Sequence, residues 1–199
     1  MHKTLKWFGV TIAVIVAIPL ISYVGVHTIG PGGDCYGAPE GGMTYARQGD
    51  LLSYTTTIDL KSVDRFVASE VFKKDAVIGE HTVGWIPEEF AEHFLNTIEV
   101  DVPATTVKVH TLRHNTCDPA IVHALGTENA EMPLAHVHQL IQVTDVKRVN
   151  IAYVRSSIDG KIWAVMWGRY VGGNGKILVS ASPIDDRHGW HASYRVYSK

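Results

Sequence analysis

The feature that most constrains this chain is an uncharged run of about twenty residues near its start. Residues 7–26 contain no Asp, Glu, Lys or Arg. At about 1.5 Å per residue, a helix of roughly 20 residues crosses the roughly 30 Å hydrocarbon core of a bilayer. We therefore expect a transmembrane helix that contacts lipid through residues 7–26, within a signal anchor over residues 1–29. A cleaved secretory signal is the alternative, although its apolar core is usually only about 7–15 residues long.

The basic residues near this run predict its orientation. Lys3 and Lys6 precede it, and no further Lys or Arg occurs before Arg47. By the positive-inside rule, the N-terminus is cytoplasmic, and the rest of this single-pass inner-membrane protein is periplasmic or extracellular. Removing the two positive charges of Lys3 and Lys6 from the chain's net charge of −2 leaves −4 for the exported part. This balance disfavours nucleic acid as a partner, because a basic patch is its usual footprint.

The segment after the anchor has the composition of a linker. Residues 30–49 contain seven Gly and two Pro, which favour turns and loops. The remaining residues, 50–199, match the usual length of one domain. We therefore expect an anchor over 1–29, a Gly/Pro-rich linker over 30–49 and one extracytoplasmic α+β domain over 50–199.

The chain contains two cysteines, Cys35 and Cys117. An even number of cysteines in an oxidising compartment is typical of a disulfide. A Cys35–Cys117 bridge would tie the linker to the domain. The alternative is a pair of buried free thiols.

The patterns beyond residue 50 predict both helices and strands. Alternation and composition predict strands at 51–58 and 105–112, while apolar spacing predicts helices at 62–74 and 87–97. Further strands are predicted at 149–156, 161–171, 176–182 and 190–197. These four consecutive strands favour a C-terminal antiparallel meander. We expect an α+β fold: an N-terminal transmembrane helix, then one domain with a four- to five-stranded antiparallel sheet and two to four helices packed on it.

Two histidines, His136 and His138, lie in the apolar stretch "LAHVHQL". On a strand they would share a face and could both bind zinc, whereas on a helix they lie about 200° apart and could not. The periodicity of this stretch fits either structure. A third ligand would come from His110, His114 or His123. We expect His136 and His138 to be ordinary surface or hydrogen-bonded histidines with no cofactor bound, and a zinc site that uses them is the alternative.

The predicted central strand offers a candidate binding surface. Trp163, Trp167 and Arg169 have the same parity and would lie on one face. If this face is open, these residue types suit a protein or glycan interface. If helices cover it, the two tryptophans are core residues.

Catalytic patterns are weak in this sequence. The stretch from Asp185 to His191 contains Asp and His near Ser180 and Ser182, but it lies between two predicted strands, so we expect a polar hairpin loop. We therefore expect a non-catalytic, membrane-anchored domain of the cell envelope that binds another envelope protein, as an assembly, secretion, exclusion or immunity factor does. The alternative is a metal-binding protein or small metal-dependent hydrolase that uses His136 and His138. A third hypothesis is a glycan-binding surface around Trp167.

Overall fold

The computed structural model describes residues 48–169, 172, 174–184 and 189–199. The predicted signal anchor, almost all of the linker and Cys35 lie outside this range. None of the helices in the described residues is long and apolar enough to cross a membrane.

The described residues form six helices and twelve strands. The helices are α1 (Gln48–Leu51), α2 (Ala68–Val71), α3 (Glu88–Phe94), α4 (Asp118–Leu125), α5 (Thr127–Ala130) and α6 (Leu134–Val143). The first six strands are β1 (Leu52–Leu60), β2 (Val63–Val67), β3 (Val77–Ile78), β4 (His81–Trp85), β5 (Ile98–Val102) and β6 (Thr105–Leu112). The other six are β7 (Thr116–Cys117), β8 (Asn150–Arg155), β9 (Ile162–Arg169), β10 (Ile177–Pro183), β11 (Gly189–Trp190) and β12 (Arg195–Ser198).

Eight of the strands make one mixed sheet. Their order is β1-β6-β12-β8-β9-β10-β4-β3. The pairs β8–β12 and β4–β10 are parallel, and the other neighbours are antiparallel. Two further pairs, β2–β5 and β7–β11, form separate two-stranded sheets.

The predicted fold class is therefore wrong in the size and pairing of its sheet and in the number of its helices. The domain is a mixed α/β structure with an eight-stranded sheet and six helices in the described residues, not a four- to five-stranded antiparallel sheet with two to four helices. The last strand does not complete a meander beside β10. It lies between β6 and β8, and β10 pairs with β4 instead.

The break in the predicted strand 190–197 gives the local reason. Ser193 has φ of 78°, in the left-handed region that strands do not use. Its N–H donates to Leu112 O at 2.8 Å, which turns the chain toward the end of β6. Trp190 consequently belongs to β11, and only Arg195–Ser198 joins the large sheet.

Helices cover the large sheet on both faces, and the alternation along β9 shows this most clearly. Trp163, Val165 and Trp167 pack in a core layer with α3 and α6. Ile162 and Ala164 point to the opposite layer, which α4 contributes to. A strand that is apolar at every position suits this two-sided burial.

Two sequence-predicted helices fare differently. The helix expected at 87–97 is present as α3. Glu88 and Glu89 occupy its first turn, where negative charges interact favourably with the helix dipole. The prediction of a helix at 62–74 is wrong for residues 63–67. Val63–Val67 is strand β2, which pairs with β5, and only Ala68–Val71 is helical. The pairing with β5, which lies far along the chain, overrides the local helical spacing.

A buried carboxylate joins three elements in the second core layer. Asp118, at the start of α4, is fully buried. Its Oδ1 accepts hydrogen bonds from the Tyr153 hydroxyl at 2.8 Å and the Trp190 indole N–H at 2.6 Å. Burial and the neighbouring Asp118 carboxylate hold the pKa of Tyr153 well above its usual range, so Tyr153 stays a donor. The contact connects α4 with β8 and β11.

Replacing Asp118 by Leu should destabilise the fold. The Tyr153 hydroxyl and the Trp190 N–H would lose this acceptor inside the core, at a cost of about 1–3 kcal/mol each. We expect a loss of at least about 2 kcal/mol in the free energy of unfolding, measured by urea denaturation of the full chain. Asp118→Asn is the matched control, because its carbonyl oxygen still accepts, and it should lose less than Asp118→Leu. Equal losses in both variants would contradict this role.

Candidate functional site

A groove of about 450 Å³ lies beside strand β5. One wall is the run of residues 99–103, and the other is formed by residues 131–133. The end of β8 and the last residue, Lys199, complete the lining.

Strand β5 also presents apolar side chains to solvent. Ile98 and Val100 are 60% and 63% exposed. They lie opposite Val67 and Arg65 of β2 in the two-stranded sheet. We call Val67, Ile98 and Val100 the β5 apolar face. Because Val100 also lines the groove, this face and the groove form one continuous surface.

An ion pair stands on the wall opposite β5. Arg155 donates from Nε to Glu131 Oε1 at 3.0 Å and from Nη2 to Oε2 at 2.5 Å. Its Nη1 donates to Gly160 O at 2.6 Å, in the connection between β8 and β9. These three contacts fix the guanidinium in one plane, while both side chains stay partly exposed. The pair orders the groove wall more than it stabilises the fold, since exposed ion pairs contribute only about 0–1 kcal/mol.

Glu99 attaches the β5 wall to helix α6. Its two carboxylate oxygens accept the N–H groups of Leu134 and Ala135 at 2.9 and 2.8 Å. These are the first two residues of α6, whose N–H groups have no partner within the helix. An anion there also complements the helix dipole. Glu99 therefore connects β5 to the N-terminus of α6.

His136 makes a second attachment beneath the same wall. Its side chain is almost completely buried, and its Nε2–H donates to Pro103 O at 3.0 Å. Its Nδ1 has no hydrogen-bond partner among the described residues. Burial lowers the pKa of His136, although the Pro103 hydrogen bond acts in the opposite direction. The neutral ring fits these contacts, because a second buried N–H would lack an acceptor.

His138 lies in different surroundings. The stretch "LAHVHQL" begins helix α6, so His136 and His138 lie about 200° apart around its axis. The His138 ring contacts the rings of Phe66 and Phe72, with centroids 5.7 and 5.9 Å away. The pair lacks the shared face that a zinc site required. The described residues contain no group of three or more His, Cys, Asp or Glu side chains placed to hold a metal ion.

The other histidines considered as third ligands differ in their surroundings. His110 is buried on β6 and shares a hydrogen bond of 3.1 Å with the Ser198 hydroxyl. His114 and His123 are exposed. Burial, with a smaller contribution from Lys108, lowers the pKa of His110.

The tryptophans of the candidate sheet surface are packed in the core. Trp163 and Trp167 are buried under α3 and α6, while Arg169 is exposed at the end of β9. The Trp163 indole N–H donates to Asp159 Oδ2 at 3.1 Å, and that of Trp167 donates to Thr144 Oγ1 at 3.0 Å. A binding role for these three residues stays a prediction.

A Ser–His–Asp group that the sequence reasoning missed lies at the β8–β9 connection. The Ser156 hydroxyl is 3.0 Å from His93 Nδ1, and the His93 ring lies on Trp163 with centroids 3.8 Å apart. Asp159 is close to both His93 and Ser156. Ser156 is only 1% exposed and also accepts the Ile158 N–H, so its hydroxyl is closed to a substrate. The group stabilises this connection.

The remaining candidates are placed as follows. Ser180 is buried on β10, and Ser182 is half-buried on the same strand. Residues 185–188 lie outside the described part, so the predicted loop that contains them stays untested. Cys117 is buried at the N-terminal end of α4. Its predicted bridge to Cys35 stays a prediction, because Cys35 also lies outside the described residues.

The groove was not anticipated from the sequence, although one signal for it exists. The run "IEVDV" at Ile98–Val102 alternates apolar and acidic residues, as a strand with one polar face does. The other wall carries no such pattern, since Glu131, Met132 and Pro133 simply connect two helices.

Comparison with known proteins gives no match to this chain among protein-family models, curated proteins or solved structures.

Two buried histidines, His110 and His136, and the half-buried His138 predict an acid-sensitive fold. Burial lowers the pKa of His110, His136 and His138 below their ordinary value of 6.5. Below that pH the unfolded chain takes up protons that the folded chain does not, so stability is lost as the pH falls through 6.5. We expect a lower melting temperature at pH 5.5 than at pH 7.5. The melting temperature is measured by tryptophan fluorescence of the full chain.

His138→Phe tests this assignment. The phenyl ring fits beside Phe66 and Phe72 and takes up no proton, so stability should fall less steeply with pH, by at most about 1.4 kcal/mol per pH unit. His114→Gln, at an exposed position, is the control and should leave the slope unchanged. A slope that His138→Phe does not alter would contradict the assignment.

Removal of the Glu99 carboxylate should loosen α6 from β5. Glu99→Ala leaves two helix N–H groups without their acceptor, at a cost of about 1–2 kcal/mol in the free energy of unfolding. Glu99→Gln retains one carbonyl oxygen and should lose less. Glu92→Ala, an exposed acid on α3, should change stability little. Similar losses for Glu99→Ala and Glu92→Ala in urea denaturation would show that the cap is unimportant.

Proposed function

We propose that this chain is a membrane-anchored, extracytoplasmic domain that binds another envelope protein without catalysis, through the groove and the β5 apolar face. The proposal depends on one observation: the apolar side chains of Ile98 and Val100 are exposed to solvent beside the groove next to β5. Exposed apolar side chains next to a concave polar rim are typical of protein interaction sites.

The location rests on the sequence. In the proposal, residues 7–26 span the inner membrane, the N-terminus is cytoplasmic, and the Gly/Pro-rich segment 30–49 holds the domain away from the bilayer. A Cys35–Cys117 disulfide would shorten this tether in an oxidising compartment.

The composition of the surface supports a protein partner over a small substrate. Among the charged groups that line the groove, Arg155 and Glu131 form an ion pair with each other, and Glu99 accepts a hydrogen bond from the Leu134 N–H of α6. The apolar part includes Val100, Val102 and Met132. An apolar centre with charged residues at its margin is the usual organisation of a protein interface.

Site-specific cross-linking in the native membrane tests this function. A photoreactive phenylalanine analogue replaces Val100 in the full chain, and in a control chain it replaces Val77. Val77 is 70% exposed on β3, at the far edge of the large sheet. We expect a discrete cross-linked species of defined mass from position 100 and none from position 77.

The added variant Ile98→Asp should weaken the cross-link from position 100, because it places a charge on the β5 apolar face. Equal cross-linking from both positions, or none from position 100, would contradict the proposal. The melting curve of each variant confirms that the chain is folded.

A further inference from the structure

Strand β1 is a long edge of the large sheet. It has nine residues and pairs with β6 on one side, and no strand of the described residues pairs with its other side, which we call the open edge. The opposite end of the same sheet is β3, which has only two residues. Short strands, Lys and Pro are common devices that prevent edge pairing, and β1 contains neither Lys nor Pro. Residues 53–57 are all exposed, so both faces of the strand are open to solvent there.

The pairing of β6 shows which backbone groups of β1 point to the open edge. Leu112 of β6 makes both of its backbone hydrogen bonds with residues 193 and 194, just before β12. In an antiparallel strand, alternate residues direct N–H and C=O to the same side. The β6 residue opposite Ile58 is five positions from Leu112, so its backbone groups face Ile58. Those of the neighbouring Thr57 and Asp59 therefore point to the open edge, where Thr57 O accepts only a 3.5 Å contact from the preceding side chain.

The open edge has a limit on each side of Ile58. At Thr55 the register with β6 shifts, which marks a bulge. At Lys61 the Gln139 side chain of α6 already occupies both backbone groups, because it accepts the N–H and donates to the carbonyl oxygen, both at 2.8 Å. Thr55 and Lys61 lie at equal distances along the chain from Ile58. The stretch available for pairing is therefore symmetric about Ile58.

We infer that the open edge binds a second copy of this chain, with the two β1 strands antiparallel and a twofold axis at Ile58. The symmetry of the edge favours a second copy as the occupant, since the bulge at Thr55 in one copy then lies opposite the capped Lys61 of the other. Charge favours it too. Asp59, the only charged residue of β1, lies opposite Thr57 of the second copy, whereas a parallel in-register pair would place it beside another Asp59.

The pairing supplies backbone hydrogen bonds and an apolar contact. Thr57 and Asp59 of each copy exchange about four N–H···O bonds with Asp59 and Thr57 of the other. At the axis, Ile58 faces Ile58 of the second copy, with about 4.5 Å between Cα atoms. Ile58 is half-buried against the first core layer, so this contact extends the apolar core across the axis. One strand edge is small beside the roughly 1,200–2,000 Å² of a stable interface, and anchoring both copies in one membrane would raise their effective concentration.

Disulfide formation between two differently tagged copies of the full chain, co-expressed and oxidised in the cell membranes, tests the inference. Ile58→Cys should give a covalent species that contains both tags, because facing strand residues have the spacing of a disulfide. Asp59→Cys alone should give at least about fivefold less, since it faces Thr57, and co-expression with Thr57→Cys should restore the species. Thr106→Cys, exposed on β6, is the matched control, and the chain without an added cysteine gives the background.

Thr57→Pro tests the backbone pairing, because proline removes an N–H that points to the open edge and is tolerated in edge strands. It should lower the Ile58→Cys cross-link about tenfold without changing the melting temperature, whereas Thr57→Val keeps the N–H and should leave the yield unchanged.

Three outcomes would overturn the inference. They are no species with both tags from Ile58→Cys, equal yields from Ile58→Cys and Asp59→Cys, and a cross-link that joins Ile58→Cys to a different protein instead. The inference does not depend on the groove, so cross-linking from position 100 should be the same in Thr57→Pro. Failure of the self-pairing and failure of the proposed function are therefore distinguishable.

Discussion

The burial of the large sheet on both faces is the constraint on which the rest of the structure depends. Strands β8 and β9 are apolar at nearly every position, so neither face can be left to water. α3 and α6 cover one face, and α4 covers the other. These three helices all lie between β4 and β8 in the chain.

Buried polar groups then select one arrangement of these apolar strands. Asn150 at the start of β8 is fully buried, and its Oδ1 accepts the Tyr197 hydroxyl of β12 at 2.6 Å. Its Nδ2 donates to backbone oxygens that include Arg148 O at 2.9 Å. A pairing that moved β12 away from β8 would leave the buried Asn150 Oδ1 without the Tyr197 donor, at a cost of about 1–3 kcal/mol. This hydrogen bond therefore favours β12 as the neighbour of β8.

The groove forms because strand β8 has one neighbour at its start and a different neighbour near its end. β12 pairs with β8 only at Asn150 and Ile151, and Glu131 takes its place at Tyr153. The connection between α5 and α6 thereby contacts the sheet at the end of β8. Glu99 and His136 hold β5 near it through contacts with α6 and Pro103. β5 and residues 131–133 thereby lie on opposite sides of the groove, which is also lined by Val154.

The sequence by itself determined the local elements with strong patterns. The spacing of apolar residues, which acts within a few residues, predicts the helix at Glu88–Phe94, the strand at Thr105–Leu112 and the two-sided burial of β9. The acidic first turn also favours the helix. The prediction of an anchor over residues 7–26 likewise depends only on composition. Tertiary structure decided the sheet order, the strand β2 and the groove, because each depends on pairings between residues far apart in the chain. The helical conformation of "LAHVHQL" belongs to the same group: its periodicity fits both structures, and Glu99, from 35 residues earlier, accepts the first N–H groups of α6.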